Sequence, residues 1–395
     1  MTANIAYLIQ GKLHLKLGEK TTLIESEFAK SVQQRVREVQ RRQFFRNRGV
    51  MANFMPPQML RSAEQQEDPP APILITSLCR GSDQKFFYSL EVGNVAGIFA
   101  FDLQKNQEQR LFHGPDFRVH CLNFNPNQNL IACSTFHKDG SANIALLPLD
   151  SSILKEVTEG DSLDLAPHWL PGAGKALIFQ SAGLGRNAQG LIVEKGPFTL
   201  EKLDFDRQEV ITLAADSAYD LLGGQMTADG TLYYIRRPYK SLRNSFNILK
   251  LLQDILLIPI RLIYAIYQWL NFFTWRYTGK PLGTAGGPQA PDIKTQMTAW
   301  GEIIDIPKVT KNNVVGDPDA TALVPKTWQL VRQKTGHDLE LVQEGVLSFD
   351  LQEDGSILYT NGSGIYWIKS DGSQERTLTA TLIEQAIILS GELRE

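Results

Sequence analysis

The sequence predicts an all-β fold, a six-bladed β-propeller closed by its N- and C-terminal strands, and three observations carry that reading. From residue 72 onward, apolar or alternating runs of roughly five to eight residues recur between Gly, Asp, Asn and Pro turns. The runs fall in fours, with a period of about 45 residues, the spacing of a blade that cannot bury both faces alone and must stack on neighbours. The two ends of the chain are incomplete in complementary ways. Leu382 to Leu389 reads as a first strand without its sequel, while Ile5 to Ile9, Lys12 to Leu17 and Thr22 to Glu25 read as second, third and fourth strands. One blade shared by both termini would remove the free sheet edges that an open array exposes.

The composition agrees. Of 395 residues, 43% are hydrophobic and 21% charged, which fits a folded soluble domain and excludes disorder, collagen and coiled coil. Net charge is only −3, so no global field points to nucleic acid. The first residues lack a basic stretch followed by an apolar run, and the cysteines number three, Cys79, Cys121 and Cys133, so the chain is expected in the cytoplasm with buried thiols.

Blade by blade, one set runs Ile73 to Leu78, Phe86 to Leu90, Gly97 to Leu103 and Gln109 to Phe112. A second begins at Val119 and continues through Leu130 to Ser134, Asn143 to Leu149 and Leu154 to Val157. A third starts at Ala166 and takes in Leu177 to Gln180, Thr199 to Leu203 and Val210 to Leu213. The fifth blade spans Tyr219 to Glu344 and carries a long insertion. The turn between first and second strands repeats as Asn125-Pro-Asn-Gln-Asn-Leu-Ile-Ala-Cys-Ser134, Leu170-Pro-Gly-Ala-Gly-Lys-Ala-Leu-Ile-Phe-Gln-Ser181, Thr227-Ala-Asp-Gly-Thr-Leu-Tyr-Tyr-Ile235 and Gln352-Glu-Asp-Gly-Ser-Ile-Leu-Tyr-Thr360. Gly or Asn accepts the positive φ of such a turn, and Asp bonds its own backbone two residues on. These copies resemble the Pro-Asp-Gly signature of TolB-like propellers, the WD40-like repeats with a Pro-Asp core, although no copy has Pro, Asp and Gly together. The resemblance covers roughly residues 4–25 and 72–389, with a nearer likeness to bacterial members that carry a similar hydrophobic insertion. It implies six blades; the nearer likeness supplies no function, and the chain itself reads as a non-catalytic scaffold that binds a ligand, or a protein partner on the propeller face.

Two segments interrupt a single propeller domain spanning residues 1–395. Residues 26–48 read as a basic amphipathic helix, with Phe28, Val32, Val36, Val39 and then Gln43 or Phe44 on one face. Its other face carries Lys30, Arg35, Arg37, Arg41, Arg42, Arg46 and Arg48 against Glu27 and Glu38, and serves either as a solvated surface or as a contact for anionic lipid, acidic protein or nucleic acid. Residues 49–71 read as a loop. Residues 240–295 read as a hydrophobic helical insertion followed by a Gly/Pro linker. Within it, Ile255 to Trp275 holds one charge, Arg261, yet its polar positions from Lys250 to Asn271 form one stripe, so the segment suits a helix lying in a membrane interface. Leu257, Ile258, Ile260, Leu262, Ile263, Ile266, Trp269, Phe273 and Trp275 would face lipid.

Candidate chemistry is sparse. The histidines and cysteines form no zinc-ligand spacing, no Gly-x-Ser-x-Gly elbow occurs, and no cofactor is expected. Asp116, Asp164, Asp220 and Glu344 sit before innermost strands. They either cap their own turns or form, with His168 and Arg118, a channel rim for a basic peptide or a cation, of which Ca²⁺ suits carboxylates best. The leading expectation is a binding propeller peripherally attached to the cytoplasmic face of a membrane. The alternatives are an enzyme acting on glycan or peptide at the channel mouth, which needs two carboxylates about 5 to 10 Å apart, and a nucleic-acid contact through Arg35 to Arg48.

Overall fold

The computed structural model describes residues 4–52, 71–82, 84–172, 174–241, 296–300, 302–313, 321–334 and 338–389. The sequence's alternation becomes antiparallel strands, grouped in fours. β1 (Ile5–Ile9), β2 (Lys12–Leu17) and β3 (Lys20–Ile24) precede helix α1 (Glu27–Ala52). The next unit is β4 (Ile73–Arg80), β5 (Lys85–Val92), β6 (Val95–Asp102) and β7 (Gln107–Pro115), followed by β8 (Val119–Asn125), β9 (Leu130–Phe136), β10 (Ala142–Pro148) and β11 (Lys155–Glu156). Then come β12 (Ser162–Trp169), β13 (Ala176–Arg186), β15 (Thr199–Asp204) and β16 (Glu209–Ala214), with β14 (Ile192–Lys195) paired to the far end of β13. β17 (Tyr219–Met226) and β18 (Leu232–Pro238) join β21 (Gln329–Gln333) and β22 (Glu340–Glu344) across the insertion. The last unit is β23 (Ser348–Leu351), β24 (Ile357–Thr360), β25 (Gly364–Ile368) and β26 (Gln374–Thr379). The final strand, β27 (Ile383–Ile388), crosses to the first unit and pairs antiparallel with β1, Ile388 opposite Ile5. The fold is all-β and propeller-like.

Strand burial explains the stacking. Along β5 the alternation of side chains divides Phe86, Tyr88 and Leu90 from Phe87, and both sets are buried. The first set packs with Leu8, Leu13 and Leu15 of the unit before it, and Phe87 packs with Ile131 and Cys133 of the unit after it. A sheet apolar on both faces has to be covered on both sides.

The innermost strands touch in the order β27, β4, β8, β12, β17, β23 and back to β27. Side chains of one unit bond the backbone of the next at each of these junctions. Gln385 accepts from the Leu78 N–H and donates to the Leu78 carbonyl at 2.9 and 2.8 Å. Ser77 Oγ accepts from Leu122 N–H, Asn123 Oδ1 from Trp169 N–H and Gln180 Oε1 from Gly223 N–H. Gln225 accepts from Leu351 N–H and donates to the Phe349 carbonyl, and Ser348 Oγ donates to the Glu384 carbonyl. Several of these contacts sit at register shifts in β4, β8, β12 and β17, where an extra residue frees a backbone N–H from its own sheet.

The turn chemistry holds in detail. Asp229 Oδ1 accepts from Thr231 N–H and Asp354 Oδ1 from Ser356 N–H, and Gly230 and Gly355 take φ of 83° and 81°. Ser26 caps α1 by accepting the Ala29 N–H. The helix continues to Ala52, four residues into the predicted loop, because nothing in Gly49-Val-Met-Ala52 stops it and the first proline is Pro56. The residues expected to face lipid, Leu257 to Trp275, lie outside the described residues. Residues 241–305 form a second compact unit, in which β19 (Gln296–Ala299) and β20 (Glu302–Asp305) make an antiparallel hairpin; α2 (Ile306–Asn313) belongs to the first unit.

Candidate functional site

The four acids of the predicted rim are held separately. Asp116 lies in the turn before β8 with φ 52°, 3.2 Å from Lys138 Nζ. Asp164 and Asp220 are not in the connections: Asp164 lies inside β12, which begins earlier than the apolar pattern indicates, and Asp220 is the second residue of β17. The buried Asp164 accepts from Ser181 Oγ at 2.7 Å. Glu344 closes the outermost strand β22, where the Gln329 amide lies 3.5 Å from it. Arg118 is exposed, its carbonyl taking the Phe136 N–H. Among the described residues no group of three His, Cys, Asp or Glu stands close enough to hold a metal ion.

Asp220 has a different part. Its carboxylate is 3.2 Å from Lys195 Nζ and 3.0 Å from Arg237 Nε, and it accepts the Phe198 N–H at 2.9 Å. Lys195 and Phe198 come from the preceding unit, so the acid links two units. The ammonium of Lys195 lies over the Phe198 ring and the guanidinium of Arg237 over Trp328, 4.2 and 5.1 Å from the centroids. Tyr239, where the insertion leaves β18, bonds the Lys195 carbonyl.

A second polar group forms toward the carboxyl ends of three inner strands. Arg80 ends β4, His168 is the penultimate residue of β12, and Asp350 and Gln352 lie at the end of β23. Arg80 Nη1 donates to Gln352 Oε1 at 3.0 Å and Gln352 Nε2 donates to Asp350 Oδ2 at 2.9 Å. Burial raises the Asp350 carboxyl above its ordinary range, against the opposing pull of Arg80 and Gln352. His168 donates from Nδ1 to the Trp169 carbonyl at 3.2 Å, leaving Nε2 as acceptor. Burial is the larger influence on it, Arg80 acts in the same sense, and its pKa falls to about 4. At neutral pH the site therefore presents a guanidinium, a primary amide, a carboxyl and a neutral imidazole. His168 belongs with this group, nearer the other end of the strands from Asp116 and Arg118. Sequence reasoning missed Arg80 and Asp350 because each is one polar residue at a strand end, and only the pairing of distant units unites them.

The His168 shift gives a measurable outcome. The unfolded chain titrates histidine near 6.5, so between pH 6.5 and 4 the unfolded state binds more protons and stability falls as pH falls. Asp350 and Glu384, raised by burial, act in the opposite sense. Comparing urea unfolding at pH 7 and pH 5, His168→Gln is expected to lose less stability than the parent, by on the order of 1 kcal/mol. Equal losses would show that His168 is solvated.

A cleft of ≈540 Å³ lies between the turns Thr227–Thr231 and Glu353–Gly355, with Arg332, Lys334 and Glu340 in its wall. Lys334 pairs with Asp229 at 3.4 Å and Arg332 with Glu340 at 2.7 Å. Thr227 and Thr231 hold the Asp229 carboxyl well below the usual range.

Fold and site together define a propeller-like all-β protein with a polar group where inner strands meet. Solved structures it resembles include TolB and TolB-like β-propellers. TolB from Acinetobacter baumannii superposes with a TM-score of 0.51 at 12% identity, over 97% of this chain and 66% of that one, so the chain spans about two thirds of that TolB's length. At that identity the likeness establishes the fold alone. A putative TolB from Agrobacterium tumefaciens matches with a TM-score of 0.43 at 13% identity, over 80% of this chain and 84% of that one. No protein-family model and no curated protein matches the sequence.

Proposed function

We propose that the chain is a closed six-bladed propeller acting as a non-catalytic binding scaffold, held at a membrane surface by the apolar segment 246–275. The carrying observation is the pairing of β18 with β21, Arg236 opposite Gln329. Both ends of the intervening chain are thereby fastened to neighbouring strands and must return to one side of any membrane. One apolar run of about 20 residues cannot cross and come back, and the stripe from Asp254 through Arg261 to Gln268 suits an interfacial helix with one wet face. The cyclic contacts of the innermost strands and the β27 to β1 pairing support ring closure. The group of Arg80, Asp350 and Gln352, whose polar atoms hold one another in place, supports a binding role at the channel together with the neighbouring His168, ready to meet a partner's polar groups. Among the described residues no helix is long and apolar enough to cross a membrane.

Vesicle flotation tests the attachment. The intact protein is expected to float with phosphatidylcholine vesicles, and a variant lacking residues 246–276 to stay at the bottom while keeping its β-sheet circular dichroism. Intact protein that remains soluble and monomeric without detergent, and does not float, would overturn the membrane reading.

A further inference from the structure

The inner strands run in the same direction, because early residues bond early ones and late residues late ones from unit to unit, as in Thr76 with Val119, Asn123 with Trp169 and Gln225 with Leu351. Antiparallel alternation then assigns every connection to one of two faces. The Asp-Gly turns between first and second strands share one face. The turns between second and third strands, and the links from each fourth strand to the next first strand, share the other. Lys138 with Asp116, and Arg186 with Asp139 and Asp161, join such turns and links directly.

Three departures from the four-strand pattern fall on this second face. α1 links β3 to β4, the β13–β14 hairpin extends between β13 and β15, and the ends of β18 and β21, between which the insertion runs, lie there too. We propose that this face docks on an anionic lipid surface, with α1 recognising the charge and the tip of the β13–β14 hairpin supplying an apolar contact. The proposal rests on the membrane reading above and adds to it the lipid class and the residues that select it.

The first turns of α1 are fastened to the sheet. Phe28 donates its N–H to Glu108, its ring lies 5.1 Å from that of Phe99, and Ala29 is fully buried. Val32 still packs on the same core, but Val39 on the same stripe is 51% exposed. From Val36 to Ala52 the helix extends for about 25 Å at 1.5 Å per residue. Arg35, Arg37 and Arg42 are exposed beside that stripe, and Glu38 lies 4.0 Å from Arg42. The side chains of Arg41, Arg46 and Arg48 lie outside the described residues. The hairpin is rigid, since Arg186 bonds Asp161 at 2.6 Å, Asp139 at 3.2 Å and the Gly190 carbonyl at 3.0 Å. Beside this brace Leu191 and Val193 are 65% and 50% exposed. A duplex has use for the arginines but not for exposed valine and leucine. A lipid headgroup layer accepts cations at its phosphates and apolar side chains just beneath them, and a braced tip loses little freedom on entering it.

Flotation on phosphatidylcholine vesicles, with and without phosphatidylglycerol, tests this on the full chain. The intact protein is expected to bind the anionic vesicles roughly 100-fold more tightly, from three arginines near the surface. Arg35→Gln/Arg37→Gln/Arg42→Gln should lose that preference while still binding neutral vesicles, and Leu191→Ser/Val193→Ser should weaken binding to both. All five positions are exposed, and circular dichroism checks the fold. A triple variant with its preference intact would overturn the inference and leave the insertion's role standing. Binding of duplex DNA by the intact protein, lost in the triple variant and without any vesicle preference, would also overturn it. Failure of the intact protein on both vesicles would overturn this inference and the membrane reading together, whereas a variant lacking 246–276 that still prefers anionic vesicles would support this inference by itself.

Discussion

Removal of residues 382–395 is expected to leave a chain that does not fold. β27 pairs with β1 over its whole length and buries Ile383, Ala386 and Ile387, with Leu389 just beyond it. Its residues join two apolar clusters, one with Leu358 and Ile365 and the other with Leu78 and Phe86. Burying three large aliphatic side chains contributes about 5 to 9 kcal/mol, comparable with the whole stability of an ordinary domain. The deletion also removes both Gln385 bonds to Leu78 and exposes the edge of β1. The expected readouts are insolubility, or loss of the cooperative urea transition. The same strand placed ahead of Asn4 should rescue folding, because Ile388 lies opposite Ile5 and a two-residue turn can join them as a hairpin. A truncated protein that unfolds cooperatively near the parent midpoint would show that β27 is dispensable.

The pairing of β27 with β1 was legible because each terminus displayed part of one pattern. β5 was legible as a strand, but Phe86 and Phe87 in succession could not reveal which neighbour each faces, since the two faces are equally apolar. The helix was visible from Phe28, Val32 and Val36 at three- and four-residue spacing, and only its end was misplaced. The β14 hairpin escaped because Ile192-Val-Glu-Lys195 is short and its partner is the overlong end of β13. The site was the least legible part. Asp220 is an ordinary turn-like acid in the sequence, and its partners Lys195 and Arg237 are separated from it by a unit boundary and by a strand. Arg80, His168 and Asp350 lie far apart in the chain and meet only because inner strands converge. Local patterning encodes which residues are buried. Which polar residues converge depends on the stacking of whole units.

Asp220→Ala is expected to be the most destabilising single substitution in the first compact unit. The carboxylate and the Arg237 guanidinium are 2% and 3% exposed, and Lys195 is half-buried beside them. Inside the protein such a set is not required to be a large net stabiliser, because desolvation offsets much of the attraction. Removing one member is different, since the buried Arg237 guanidinium and the half-buried Lys195 ammonium then lose the carboxylate they share, and breaking a buried pair costs about 3 to 5 kcal/mol. The Phe198 N–H loses its acceptor as well. Asp220→Asn can keep an acceptor for Phe198 while removing the charge, so the difference between the two variants separates hydrogen bond from ion pair. In the double variant Asp220→Ala/Arg237→Met the stranded guanidinium is gone, and the loss should fall short of the two single losses added together. The measurement is the urea midpoint at constant slope. A loss below about 1 kcal/mol for Asp220→Ala would place the carboxylate among weakly contributing surface pairs. The larger loss would have a local consequence, because Lys195 and Tyr239 hold the strand from which the insertion departs. Asp220→Ala should then increase protease cleavage near residues 239–241 before the global transition, whereas the conservative Asp164→Asn, whose partner Ser181 lies within its own unit, should leave that junction protected.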